Sequence, residues 1–168
     1  MSAASLHIRL AEARDTVLIL AFIRELAAFE GMESQITATA EDIRVSLFER
    51  KQAEVIIAEV DGNPAAFALF FPNYSTFLGK ANLHLEDLFV REEYRSKGIG
   101  KAMLRRLARI ALDRGGERLD WLCLDVNDPA IAFYRKLGAE VLSDRRVFRI
   151  SGTRLAAFAD QNQFSLRG

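Results

Sequence analysis

The sequence predicts a single α+β domain, and three observations predict it. A chain of 168 residues is the size of one compact domain with a core of its own. Along it the apolar residues switch between the helical period and the strand period several times. No repeat, low-complexity run or linker separates these segments. At 50% hydrophobic and 27% charged residues the composition is that of a globular protein. Lys plus Arg equals Asp plus Glu at 23 each. That balance excludes a nucleic-acid binder working through a global basic field and leaves only a local basic patch open.

Leu6–Leu10 reads as a short opening strand. Ile19, Phe22, Ile23, Leu26 and Phe29 recur at helical spacing, with Asp15 or Thr16 to cap the helix and Gly31 to end it. The polar stretch 33–39 leads to a second helix near Ala40–Arg50. At Glu54 the period changes: 55–60 reads as a strand, Asp61-Gly62-Asn63-Pro64 as its turn, and 65–71 as the returning strand of an antiparallel hairpin. Residues 72–79 read as a loop, followed by a strand from about Leu83 to Val90. A glycine-bearing turn at 95–100 opens an amphipathic helix whose buried stripe is Ile99, Met103, Leu107 and Ile110 or Ala111; Gly115-Gly116 stops it. Leu119–Val126 reads as a strand buried on both faces. Pro129 suits the first turn of a short helix, 128–137, ended by Gly138. Val141-Leu142 and 146–150 read as a closing hairpin, and the tail after Thr153 as a last helix that frays.

The single cysteine, Cys123, rules out an internal disulfide framework and a cysteine-rich metal site, and it reads as a packed strand residue. The histidines and carboxylates form no ligand-spaced cluster, so no metal is implied. The start of the chain lacks a basic segment followed by an apolar one. No uncharged apolar run approaches the ~20 residues of a membrane helix. The expectation is a cytoplasmic enzyme with no membrane or nucleic-acid partner.

The segment from Asp87 to Lys101 carries the strongest signal. A strand delivers the chain to a turn that opens directly into a helix. Backbone N–H groups at such a helix start lack intrahelical partners and sit at the positive end of the dipole, where phosphate binds. Gly98 and Gly100 let phosphate oxygens approach the backbone, and Arg95, Lys97 and Lys101 add positive charge. A lone Gly-x-Gly is equally consistent with an ordinary strand-to-helix connection. A nucleoside-triphosphate loop is disfavoured, since Gly-x-x-x-x-Gly-Lys-Ser/Thr is absent; a dinucleotide fingerprint is also disfavoured, since position 103 is Met.

Here the chain resembles a known family. Arg95-Ser96-Lys97-Gly98-Ile99-Gly100 matches the Gln/Arg-x-x-Gly-x-Gly/Ala signature of GNAT acetyltransferases. Residues 85–90, Tyr94-Arg95, Asn127 with Pro129, Phe133-Tyr134 and Leu137-Gly138-Ala139 are similar to the spermidine/spermine and thialysine N-epsilon-acetyltransferase subfamily. So are residues 23–27 and Phe29-Glu30. The resemblance runs from Ile8 to about Ile150. It implies one GNAT domain over residues 1–168, with a mixed, mostly antiparallel twisted sheet flanked by helices. It further implies acetyl-CoA as cosubstrate and transfer of its acetyl group to a small amine by direct attack in a ternary complex. A homodimer is also implied, and the aromatic loop around Tyr74 and Phe77 is compatible with one.

The chemistry has three needs. An alkyl ammonium with a pKa near ~10.4 must lose a proton. The carbonyl oxygen gains charge and wants donors. The departing thiolate is best protonated as it leaves. The resemblance makes Glu86 the candidate general base, acting through water and also holding the cationic substrate, and makes Tyr134 the general acid toward the sulfur. It assigns the backbone N–H groups of Leu88, Phe89 and Val90 to the pantetheine arm and the acetyl carbonyl. The coenzyme diphosphate falls to Arg95, Ser96, Lys97, Gly98, Ile99, Gly100 and Lys101. Asn127 reads both as a pantetheine partner and as a helix cap. Lys136 reads as a phosphate contact or as a solvated lysine. Asp87 reads as a salt-bridge partner on the opposite strand face from Glu86. His84 shares the face of Glu86 and reads as a satisfied strand histidine, with a water-tuning role as the alternative. Substrate contacts fall to Phe29, Glu30, Tyr74, Ser75 and Glu86.

A polyamine-type enzyme would carry an aspartate where Ser75 stands, and a further acidic stretch where this chain reads Ser143-Asp144-Arg145-Arg146. A hydroxyl and arginines in place of carboxylates disfavour a polycation and suit a substrate carboxylate. Thialysine or a lysine-like amino acid is therefore the favoured acceptor. The alternatives are a polyamine acetyltransferase, a protein acetyltransferase and a non-catalytic acyl-CoA-binding module.

Overall fold

The computed structural model describes residues 4–160. It separates into two compact units, one ending at Leu122 and one beginning at Cys123.

The first unit is a five-stranded sheet in the order β1-β2-β3-β4-β5, with β1 Leu6–Leu10, β2 Glu54–Val60, β3 Asn63–Ser75, β4 Lys80–Val90 and β5 Leu119–Trp121. The first four strands pair antiparallel, and β5 joins β4 in parallel. Parallel pairing needs a crossover, which the helix α3 (Ile99–Asp113) supplies. Two further helices, α1 (Thr16–Glu30) and α2 (Ala40–Arg44), lie between β1 and β2 in sequence. Gly31 ends α1 in the left-handed region at φ 68°, where glycine carries no Cβ penalty.

One face of the sheet packs against α1 and α2 through Ile19, Phe22, Ile43, Leu47, Val55, Ile57, Phe67 and Phe89. Phe22 and Phe67 are fully buried and stacked with ring centroids 5.1 Å apart; truncating either costs about 3–5 kcal/mol. The alternate residues, Ile56, Ala66, Ala68, Phe70 and Leu85, are buried on the other face. There α3 buries Ile99, Met103, Leu104, Leu107, Ile110 and Ala111, and Arg114 at its end lies over Phe70.

Three expectations are corrected in this unit. Residues 72–75 are strand rather than loop. The β3–β4 ladder runs on through Pro72↔Leu83 and Tyr74↔Ala81, so the turn spans only 76–79. Proline is tolerated because β2 ends at Glu54, opposite Phe70, leaving the next stretch of β3 with a neighbour on one side only. The second helix covers the expected span as far as Glu49, but from Val45 it is a π-helical turn rather than α-helix. Finally, β5 is three residues long, not eight, and is half-buried, with Leu122 exposed. Its ladder with β4 covers only Leu83–Leu85 because β4 is bulged at the next residue.

The second unit holds α4 (Asp128–Lys136) and α5 (Thr153–Ala159). Asn127 Oδ1 accepts from Ala130 N at 3.3 Å and Pro129 sits in the first turn, as a helix start requires. The closing hairpin is absent: residues 139–151 carry no strand. Val141, Val147 and Phe148 are exposed there, and a lone two-stranded hairpin is at best marginally stable in water. Cys123 is half-buried and outside any strand. The fraying expected at the tail falls beyond residue 160, outside the described residues.

Candidate active site

Glu86 is the pivot of the site. On β3, Leu69 pairs with Asp87 and the next residue, Phe70, pairs with Leu85, so Glu86 is an inserted residue without a register partner. An inserted residue bends its strand and re-aims its neighbours. Beyond it β4 parts from β5, and the segment 86–90 keeps β3 on one side with no strand on the other. Arg91 N donates to Ala65 O on β3 at 2.9 Å. Alternation then turns Phe89 toward β3 as well, and turns Leu88 and Val90 to the open side. Arg95 confirms that direction by donating its Nε to Val90 O at 2.9 Å. The open edge therefore offers the N–H groups of Leu88 and Val90, while the Phe89 side chain is core.

The bulge also corrects the reading of Asp87. His84 and Asp87 pair with Phe71 and Leu69, residues of equal parity on β3, so they share a face. Glu86 Oε2 reaches to 3.7 Å from His84 Nε2, so Glu86 and Asp87 are not on opposite sides. Asp87 also has no cationic partner among the described residues. Burial first, then the charges of Glu86 and Glu30, push its carboxyl up to about 6. Glu30, at the end of α1, thus adds to the negative field that Asp87 feels.

Past Val90 the chain makes a short 3-10 turn at Glu92–Tyr94 and enters α3 at Gly98. Gly98 has φ 81° and an added Cβ would meet nothing within 4 Å, so the requirement for glycine here is conformational rather than steric. Ser96 also has positive φ, at 60°. No side chain caps the helix start, so the first-turn N–H groups keep their outward character. The flanking cations differ from one another. The Arg95 guanidinium lies 4.4 Å above Phe29 and 5.5 Å from Phe89, and Lys97 Nζ donates to Glu93 O at 2.8 Å. Lys101 is exposed on the first turn and has no ion pair among the described residues.

Phe29 and Arg95 line a cleft of about 520 Å³ together with Glu25, Phe89, Arg91 and Glu93. Arg91 closes one side by a bidentate pair with Glu25, at 2.7 and 2.9 Å, above the Phe22 ring. Sequence reading missed this pair; only the 66-residue separation hides it, since both residues stand beside motif positions. Tyr74 and Ser75 lie at the far end of β3. Tyr74 is exposed, and Ser75 Oγ accepts from Leu78 N at 3.3 Å, shaping the turn.

In the second unit, Tyr134 lies on α4 beside Phe133. Burial first, then Cys123, push its phenol above the ordinary tyrosine value, which keeps it protonated and able to donate at neutral pH. Lys136 is exposed in the last turn of α4, where a cation complements the helix dipole. Asn127 caps α4 as described.

A strand opened by a bulge, a carboxylate at the bulge and an uncapped glycine turn beyond it suit an acyl thioester carried on a phosphorylated handle. The acetyltransferase (GNAT) family model matches residues 20–139. This chain belongs to the GNAT acetyltransferase family. GNAT proteins are acetyl-CoA-dependent N-acetyltransferases, and so is this one. It is 37% identical over 146 residues to thialysine N-epsilon-acetyltransferase of Caenorhabditis elegans, covering 85% of this chain and 90% of that one. It is 30% identical to L-ornithine N5-acetyltransferase NATA1 of Arabidopsis thaliana, over 93% of this chain and 89% of the relative. An integron cassette protein from the mobile metagenome of V. cholerae superposes with a TM-score of 0.79 at 26% identity, over 94% of this chain and 99% of that one. The GNAT fold with an open five-stranded mixed sheet is thus shared by sequence and by shape. Among the described residues no group of side chains is placed to hold a metal, and no helix is long and apolar enough to cross a membrane.

Proposed function

We propose that this enzyme acetylates the side-chain amine of a lysine-like amino acid, thialysine or a close relative such as ornithine. The observation that carries this is the bulge that sets Glu86 beside the partly buried Asp87 at the opening of β4, with the charge of Glu30 acting on the same point. The negative field of these carboxylates suits an ammonium at the opening of β4. Support for the rest of the acceptor comes from Ser75 and from Arg145 and Arg146, where a polyamine enzyme would place further carboxylates. The names of the relatives, thialysine and L-ornithine acetyltransferases, point the same way.

In this reading the diphosphate of acetyl-CoA lies on the backbone N–H groups of 96–101, with exposed Lys101 beside them. The pantetheine amides pair with Leu88 and Val90, and with the Asn127 amide left over from capping. Acetyl-CoA supplies the activated acetyl group. Glu86 takes the first proton from the bound ammonium, and the neutral amine attacks the thioester carbonyl directly in a ternary complex. The Tyr134 phenol protonates the departing thiolate, and the second proton, which the acylated nitrogen must lose to become an amide, restores the phenol. We place the enzyme in the cytoplasm as one catalytic domain, a reading supported by the family match running through residue 122, and as a homodimer, a reading supported by exposed Tyr74 and Phe77 at the β3–β4 turn.

The test is an amine panel with acetyl-CoA, following free thiol release. Thialysine, lysine and ornithine should outrank spermidine and a peptide N-terminus in kcat/KM. A clear preference for spermidine overturns the acceptor and leaves the enzyme class intact.

A further inference from the structure

The face of the sheet that carries Asp87 also holds a polar row that the steps above leave unused. The His84 side chain is only 18% exposed, and its Nε2 lies 3.7 Å from Glu86 Oε2. On the β3 side its ring lies 5.1 Å from that of Phe71, tilted by 36°. On the β5 side its register partner is Asp120. Asn73 Nδ2 donates to Asp120 Oδ2 at 3.3 Å, and Asn73 Oδ1 is a buried acceptor with no hydrogen-bond partner among the described residues. The charged groups facing His84 are therefore Glu86 and Asp87 from its own strand and Asp120 from β5. Among the described residues β3 adds the Phe71 ring and the Asn73 amide, and α1 adds Glu30, which acts through Asp87.

A base that takes one proton per turnover must lose it before the next ammonium arrives. Glu86 lies at the substrate opening, so returning the proton by the way it came would compete with amine binding. An imidazole has one nitrogen to receive a proton and a second to release it. A separation of 3.7 Å is too long for a good direct hydrogen bond and is closed by a small rotation or one bridging water.

We propose that His84 is the positioning residue of Glu86: it steadies the carboxylate at the bulge, relieves it of the proton and passes that proton toward Asp120. The inference rests on the reading of Glu86 as general base. The substrate ammonium gives a proton to the Glu86 carboxylate, leaving neutral amine and carboxylic acid. The acid O–H proton passes to His84 Nε2, restoring the carboxylate and forming imidazolium. The Nδ1 proton leaves past Asp120 to solvent. One proton is released for each ammonium acetylated, as conversion of an ammonium and a thioester into an amide and a thiol requires.

The test compares native enzyme with His84→Phe, His84→Ala and Glu86→Gln, reading kcat, KM for both substrates, Tm and the kcat/KM profile from about pH 5.5 to 9. Phenylalanine keeps a ring against Phe71 but carries no proton. It should lower kcat about 10-fold or more, keep both KM values within about twofold and displace the acid limb by at least about half a pH unit. Added imidazole should restore activity to His84→Ala and do nothing for Glu86→Gln. A His84→Phe profile superimposable on the native one overturns the proposal, as does an imidazole-insensitive His84→Ala that is folded. If the ring variant loses stability, His84→Gln, which keeps hydrogen bonding without a charge, decides by the same limb. A Glu86→Gln enzyme at the native rate would instead defeat the general-base reading itself, so the two failures are distinguishable.

Discussion

Replacing Asp87 by Asn should stabilise the protein at neutral pH and weaken its hold on the amine. In the fold the Asp87 carboxyl is pushed from its ordinary 3.8 up to about 6 by burial and by the charges of Glu86 and Glu30. A shift of about two units corresponds to about 3 kcal/mol, at 1.36 kcal/mol per unit. The folded state holds the proton more tightly than the unfolded chain, so stability falls as pH rises from about 4 to about 6 and the full cost remains above that. Asparagine is isosteric and never ionises, so it removes that cost. Thermal unfolding without substrate should therefore show Asp87→Asn melting higher by up to about 6–12 °C at pH 8, given ~2–4 °C per kcal/mol for a chain of this size. At pH 4 the two proteins should nearly coincide. The substrate ammonium offsets the same cost in the native enzyme, so lysine-like amines should raise the Tm of native protein more than that of the variant. Equal Tm values at pH 8, or a gain that does not shrink on acidification, would refute the reasoning.

Further outcomes follow from the other site elements. Tyr134→Phe should lower kcat by about 10²-fold or more with acetyl-CoA binding retained, read by thiol release and by calorimetry; its raised phenol pKa implies no loss of native activity through phenol ionisation up to about pH 9. Gly98→Ala, placed at φ 81°, should cost about 1–2 kcal/mol and weaken coenzyme A binding, measured as a Kd on folded protein. Asp15→Asn should destabilise the fold by about 2 kcal/mol, because it removes the carboxylate that Arg9 binds at 2.7 and 2.9 Å while Glu59, at 2.9 Å, keeps the guanidinium paired. Arg9 holds that carboxyl below its usual range, so its contribution is present above about pH 4 and is lost as pH falls through the depressed value. The gap between native and variant in urea unfolding should accordingly narrow on acidification.

Much of this architecture is legible from periodicity. The helical stripe ending at Gly31, the Asp61-Gly62 turn, and the strand, glycine turn and helix of the proposed coenzyme site all stand where their residues imply. What escapes sequence reading are features set by pairing between distant segments. Pro72 signals a loop locally, yet it sits in a strand because β2 has already ended beside it. The apolar run from Leu119 promises a long buried strand, but its length is decided by Glu86, more than thirty positions away, where the bulge turns β4 aside. The same insertion breaks the alternation that would separate Glu86 from Asp87. Arg95 reads as a phosphate ligand by its motif, while its ring contacts and its bond to Val90 O place it as a brace for the open edge. Such a brace is visible only once Phe29 and Phe89 are brought together.

The most direct measurement is a crystal structure of the protein with bound coenzyme A. The diphosphate oxygens should lie within ordinary hydrogen-bond distance, about 2.7–3.2 Å, of N–H groups between Gly98 and Lys101, with the pantetheine along Leu88 and Val90. Coenzyme seated away from this turn, with the edge of β4 left bare, would contradict the account.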